Sequence, residues 1–201
     1  MITLWKTLVL PKMEYCSQLW SPTRKGDIQR IELLQKNYVQ KIHGGYGLNY
    51  WQRLHKFNLF SLQRRREQYQ IIYVWKILEK MVPNVNNPGI RDQISLRNGR
   101  TCVIPTVNRN ATTRIQKIRE SNLDVHGARL FNCLPRSIRN ITGHSIEMFK
   151  SNLDRFLKLI LDEPLIPGYT AVRKADSNSL LDLQVIIKNI AFEVKDPSVL
   201  C

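Results

Sequence analysis

The chain has 201 residues, with 31 Lys+Arg against 16 Asp+Glu, giving a formal charge of +15 and a pI near 10.0. A hydrophobic content of 43% excludes a disordered or collagen-like chain, and a protein of this length buries roughly 70% of its unfolded surface on folding. No apolar run approaches the roughly 18 residues of a membrane span or forms a secretory leader, because Lys6, Lys12 and Glu14 interrupt the apolar start and later runs are broken by Arg or Lys.

Taken in chain order, Met1 to Leu10 reads as a short helical piece that stops at Pro11, and Met13 to Trp20 as a second that stops at Ser21-Pro22. From Asp27 to His43 the residues Ile28, Ile31, Leu34, Tyr38 and Ile42 recur at three and four, predicting an amphipathic helix that Gly44-Gly45 ends. Tyr50 to Phe57 predicts a short helix. Ser61 is a plausible N-cap for a long one reaching Met81 and closed by Val82-Pro83, and its broad apolar girth (Leu62, Ile71, Ile72, Val74, Trp75, Ile77, Leu78) predicts a central place in the core.

Asn84 to Asn110 is rich in turn residues around two short apolar runs, Ile94 to Leu96 and Cys102 to Ile104, predicting a small hairpin or extended loop near residues 94–107 with Arg97 and Arg100 at its turn. A helix is expected from Ala111 to Glu120, then a break at Leu134-Pro135. Ser145 caps a final helix to about Leu161, in which Ile146, Phe149, Leu153, Phe156 and Ile160 follow a three-four alternation. Leu183 to Ile190 could form a short helix or strand. The expected organisation is a mainly α-helical bundle with one small β-hairpin: helical over 1–83, a loop or hairpin linker over 84–110, helical over 111–161, and a loosely attached tail over 162–201.

The charge divides along the same lines. Residues 1–160 carry +17 and residues 161–201 carry −2, the asymmetry expected of a polyanion-binding footprint with an acidic tail outside it.

Catalytic chemistry is sparse. Two-metal phosphoryl transfer needs convergent carboxylates, yet no Asp-Asp pair occurs, and Asp162-Glu163, beside Pro164, reads as a solvated helix end. There is no Walker loop, G-x-S-x-G or H-E-x-x-H, and Gly44-Gly45-Tyr46-Gly47 reads as a helix cap and turn. The four cysteines and four histidines are scattered without metal-ligand spacing, so no metal or cofactor is expected, and reduced thiols fit an intracellular setting. The sequons at Asn110 and Asn140 carry no weight without a secretory route.

Basic residues interleaved with aromatics carry the most chemistry. Arg53, Lys56, Arg64, Arg65 and Arg66 lie among Trp51, Phe57, Phe60 and Tyr69, and guanidinium forks suit phosphate oxygens while exposed aromatics stack on bases. Three consecutive arginines fan across about 200° of a helix, so one stem should pack along the core edge. Arg97, Arg100, Arg136 and Arg139 are further candidates for phosphate contact.

Several blocks, in order, resemble a known family. Leu8-Val9-Leu10-Pro11-Lys12-Met13-Glu14-Tyr15-Cys16-Ser17-Gln18-Leu19-Trp20-Ser21-Pro22 is similar to the "lv-P-x-leYa-x-vWsP" signature just downstream of the polymerase domain in non-LTR, LINE-type, jockey-like retrotransposon reverse transcriptases. Asp27 to Lys36 resembles that family's "i-x-x-lE-x-vQ-k" helix, and Arg53-Leu54 with Leu59 to Arg66 its "RL-x-x-l-x-l-xSL-x-x-RR" block. Ala128 to Pro135 resembles "lWNsLP" with Phe131 in place of Trp, and Phe149 to Asp154 resembles "FK-x-x-Ld". The resemblance covers about residues 3–184, including Pro167-Gly168-Tyr169-Thr170; residues 185–201 match nothing in the family pattern.

The resemblance implies the thumb and following helical region of an RNA-directed DNA polymerase, without the palm and its Asp-Asp motif. Implied partners are RNA or DNA, held by the phosphate backbone, and the absent palm, in the nucleus or cytoplasm rather than at a membrane. The nine cations named above become the expected nucleic-acid contacts. Two rival readings are a truncated stretch of an active polymerase and a non-functional or domesticated helical scaffold for protein contacts.

Overall fold

The computed structural model describes residues 1–22, 24–82, 90–106, 112–164 and 177–183. They are mainly α-helical with one two-stranded antiparallel hairpin, as the hydrophobic periodicity predicts. The chain divides into two compact units, Met1–Tyr69 with Asp162–Ser179, and Gln70–Leu161 with Leu180–Cys201.

In the first unit the opening helix does not stop at Pro11. Helix α1 (Ile2–Leu4) passes through a π-helical turn (Trp5–Val9) into α2 (Leu10–Glu14). Proline has no N–H to give, and Pro11 falls in the first turn of α2, directly after the π-helical turn in which Leu10 N–H still donates to the Trp5 carbonyl. The wide turn just before it accommodates the ring, and the break comes at Cys16, whose φ of 50° starts α3 (Ser17–Trp20). Helix α4 (Lys25–Gln40) ends before Gly44 (φ 91°).

Helix α5 (Tyr50–Lys56) carries a full capping box. The Asn49 side chain accepts from Gln52 N–H at 2.8 Å, and Gln52 accepts from Asn49 N–H at 3.0 Å. Asn58 (φ 50°) closes α5 with a Schellman pair, Leu59 N–H to Leu54 and Asn58 N–H to His55. The core of this unit is Trp5, Leu10, Val39, Ile42, Leu54, Leu59 and Leu62, with the Trp5 ring 4.6 Å from that of Tyr38. Burying each large apolar side chain contributes roughly 1.5–3 kcal/mol.

Helix α6 (Leu62–Leu78) starts where Ser61 predicts: the Ser61 hydroxyl accepts from Arg64 N–H at 3.1 Å. It ends short of Met81 with a second Schellman pair, Met81 N–H to Lys76 and Lys80 N–H to Ile77, around Lys80 at φ 58°. The division between units falls inside α6, after Tyr69, rather than at residue 83. The first half of α6 buries polar side chains and the second half apolar ones.

The second unit buries Ile71, Val74, Trp75, Leu130, Phe131, Phe149, Leu153 and Leu157, with Trp75 and Phe149 stacked at 4.5 Å and 9°. The Trp75 indole N–H donates to the Ile141 carbonyl at 2.9 Å. Strands β1 (Arg91–Ser95) and β2 (Gly99–Val103) pair in register Asp92 to Cys102 and Ile94 to Arg100. Arg97 lies at the turn, as expected, whereas Arg100 lies within β2.

Helix α7 (Thr113–Ser121) buries no residue. A π-helical segment (Leu123–Gly127) leads into α8 (Ala128–Cys133), and α9 (Arg136–Arg139) follows Pro135. Ser145 caps α10 (Ile146–Lys158) by accepting from Met148 N–H at 3.3 Å, and α10 buries Phe149, Leu153, Phe156 and Leu157.

The tail is not loosely attached where it is described. Asn178 is buried and donates to Ser61 Oγ at 2.9 Å and to Asp162 Oδ1 at 3.0 Å, while Leu180 and Leu183 are buried. Residues 184–190, where a further helix or strand is expected, lie outside the described residues, as do the start of the expected 111–120 helix and the Asn110 sequon.

Candidate nucleic-acid interface

The expected cations fall into three local groups, and burial separates them. In the first unit, α6 carries Arg64, Arg65 and Arg66. Arg64 has no solvent exposure; its Nε lies 3.6 Å from Asp162 Oδ1 and its Nη2 donates to the Asn178 carbonyl at 3.1 Å. Arg66 is also buried, and burial lowers its pKa against the opposing pull of Glu32 and Glu67. Arg65 forms a two-pronged pair with Glu14, Nη2 to Oε2 at 3.0 Å, and its guanidinium lies 5.7 Å from the Tyr69 ring centre. The expectation that this triplet grips phosphate is therefore corrected. A helix this broadly apolar turns more than one arginine inward: Arg64 meets Asp162 and the Asn178 carbonyl, Arg65 meets Glu14, and Arg66 feels the Glu32 and Glu67 charges while its buried Nη2 has no hydrogen-bond partner among the described residues.

The first turn of α6 gathers two carboxyl groups. Leu62 N–H donates to both Glu32 oxygens at 3.2 and 3.1 Å, and the Tyr50 hydroxyl donates to Glu32. Burial first, and the Asp162 charge with it, pushes the Glu32 carboxyl up to about 7, against the Tyr50 and Leu62 hydrogen bonds. Burial likewise raises Asp162, opposed by the Arg64 charge. Anions at a helix N-terminus are favourable, which offsets part of that desolvation.

A second group surrounds the Gly44-Gly45 turn. Arg53 Nε donates to the Gly45 carbonyl at 2.9 Å and Lys56 Nζ to the Gly44 carbonyl at 2.5 Å. The Arg53 stem lies 3.3 Å from where a Gly45 Cβ would stand, so the turn is packed as well as hydrogen-bonded. Arg53 is half-buried and Lys56 exposed.

The third group sits at the hairpin of the second unit. Arg100 is buried and bridges Asp92 (2.8 Å) and Glu79 (2.5 Å), which removes it from solvent. Arg139 donates to the carbonyls of Leu134 (2.8 Å), Arg100 (2.7 Å) and Asn98 (3.1 Å), so it closes the outer edge of β2. Asn132 does the same one pair along, accepting from Cys102 N–H at 2.8 Å and donating to Cys102 O at 2.9 Å. Arg136 is exposed, with its stem 3.0 Å from where a Gly99 Cβ would stand, and Arg97 is exposed at the turn.

Of the nine expected contacts, Lys56, Arg97 and Arg136 are exposed; Arg53, Arg65 and Arg139 are half-buried; Arg64, Arg66 and Arg100 are buried. The sequence reading missed other exposed cations: Lys25, Arg30, Lys36 and Lys41 on or at the end of α4, and Arg114, Lys117 and Arg119 on α7. A readable signal existed. No acidic residue occurs between Glu32 and Glu67, so Lys36 and Lys41 have no counter-charge on their C-terminal side for more than 20 residues.

Among the described residues no group of three His, Cys, Asp or Glu could hold a metal, and no helix is long and apolar enough to cross a membrane. Burial pushes the Cys102 thiol up to about 12, the opposite of a reactive thiolate. Burial lowers the pKa of His126, whose Nδ1 lies 2.8 Å from Gln70 Oε1, keeping it neutral and structural. Comparison with family models, curated proteins and solved structures finds no match to this chain.

Proposed function

We propose that this chain is a helical nucleic-acid-binding module that grips template RNA or an RNA–DNA duplex through its phosphates. In this reading it is the region downstream of the palm in a non-LTR retrotransposon RNA-directed DNA polymerase, and it performs no catalysis by itself. The observation that carries the proposal is the sign of the exposed charge over residues 1–69. Eight basic residues there are exposed, among them Lys25, Lys36, Lys41 and Lys56. Of the four acidic residues, Glu14 pairs with Arg65, Glu32 holds Tyr50 and Leu62, and Glu67 accepts from Ser179; only Asp27 faces solvent. The charges left to water are eight basic to one acidic, against twelve to four in the sequence of this stretch, a nearly unmixed positive charge that favours a polyanion.

A scaffold for protein contacts is the second reading, favoured by the exposed apolar side chains Leu8, Tyr15 and Leu19 near the start of the chain. Filter binding to an RNA–DNA hybrid separates the two. Lys36→Gln with Lys41→Gln should weaken hybrid binding about ten-fold at 100 mM salt while leaving the melting temperature unchanged. Binding that is absent, or unaffected by these changes, overturns the proposal.

A further inference from the structure

We infer that the Gly44–Gly47 turn presents Tyr46 as a stacking platform for an unpaired base of a single-stranded nucleic acid, with Lys41 and Lys56 serving the flanking phosphates. The inference rests on the nucleic-acid reading above and deepens it.

Tyr46 is 76% exposed, whereas four of the five other described tyrosines are at least partly buried. It is held in place nonetheless. Gly44 (φ 91°) and Gly47 (φ 74°) bracket it in backbone conformations that side-chain-bearing residues rarely adopt, and its hydroxyl lies 3.0 Å from His43 Nδ1. Lys56 and Arg53 fasten the carbonyls of Gly44 and Gly45 from α5, so the turn is braced immediately before Tyr46.

The ring is thus anchored at its polar edge with its apolar surface in water, which is the arrangement a base can use. Every base has a π-face, and stacking on an exposed aromatic beside cations is the recurrent way single strands are held without reading sequence. Lys56 is exposed and fixed at the turn, and Lys41 is exposed three residues before Gly44. The Arg53 bond to Gly45 uses one of the five N–H donors of its guanidinium. No acidic residue lies anywhere between Lys41 and Lys56 in the chain, so nothing local repels a phosphate. A duplex keeps its bases stacked inside and offers this ring no partner, so the platform favours single strands over duplex.

The test uses the full chain and two oligonucleotides of equal length and charge, a single strand bearing bases and its abasic counterpart. The unaltered protein should bind the base-bearing strand about ten-fold more tightly. Tyr46→Ala should remove that advantage, with abasic-strand affinity and salt dependence unchanged. Tyr46→Phe, which keeps the ring and loses the bond to His43, should retain most of it. Unchanged affinity of Tyr46→Ala for the base-bearing strand overturns the inference while leaving the phosphate grip standing. Failure of the unaltered protein to bind either strand overturns the inference, and failure to bind the RNA–DNA hybrid as well overturns the phosphate grip.

Discussion

Asp162 is joined to Ser61 twice: the Ser61 backbone N–H donates to Oδ2 at 2.6 Å and its hydroxyl donates to Oδ1 at 2.9 Å. Across 101 residues of sequence, one carboxylate supplies the entry to α6 with acceptors, and the same carboxylate is the counter-charge of the buried Arg64. Replacing Asp162 with Ala leaves Arg64 buried without that charge. The expected loss of stability is about 3 kcal/mol in urea unfolding, with Asp162→Asn, which keeps one acceptor, losing less. A loss below about 0.5 kcal/mol for the Ala variant contradicts the role given to this pair.

Glu32 gives a pH dependence whose sign follows from its environment. Its carboxyl is pushed up from 4.5 to about 7 in the folded state, so between those values the folded protein holds a proton that the unfolded chain releases. Its contribution is therefore full below about pH 4.5 and is lost as pH rises to 7, a change on the order of 3 kcal/mol. Glu32→Gln cannot ionise. The stability difference between variant and parent should move in the variant's favour across that window, and parallel pH profiles would refute the assignment.

Arg100 is the corresponding internal cation of the second unit. Its two carboxylate partners come from α6's end and from β1, and Glu79 also accepts from Gly143 N–H at 2.8 Å. Arg100→Ala leaves Glu79 with a buried, unbalanced charge, for an expected cost of about 3–5 kcal/mol by chemical denaturation. Adding Glu79→Gln should recover part of that loss, because the stranded charge is then gone. Additive losses in the double variant would show that the pair is not coupled.

How much of this was legible in the sequence depends on the range of the interaction. Helix α10 was readable from its Ser145 cap through its buried face, because the cap and the three-four alternation are both local signals, although it ends at Lys158 rather than near Leu161. The Ser61 cap was readable for the same reason, and so was the presence of the hairpin, though its strands lie at 91–95 and 99–103 and hold Arg100 within β2. The passage of the first helix through Pro11 was not, since a proline in the first turn of a helical segment looks like a stop when the preceding π turn is unknown. The candidate interface was half legible. Net charge identified its sign, but whether an arginine meets water or a carboxylate depends on partners such as Asp162, about a hundred residues distant, which leave no mark near Arg64. Tyr46 could have been singled out, since an aromatic between glycines in a tight turn has little to pack against.

The central claim is that exposed cations of this chain neutralise phosphates, and the salt dependence of binding tests it most directly. With about five phosphates engaged, log affinity for RNA or an RNA–DNA hybrid should fall against log salt with a slope of about −4 to −5, a loss of several hundred-fold between 50 and 200 mM. Binding with a slope near zero, or no binding at 50 mM salt, would contradict it.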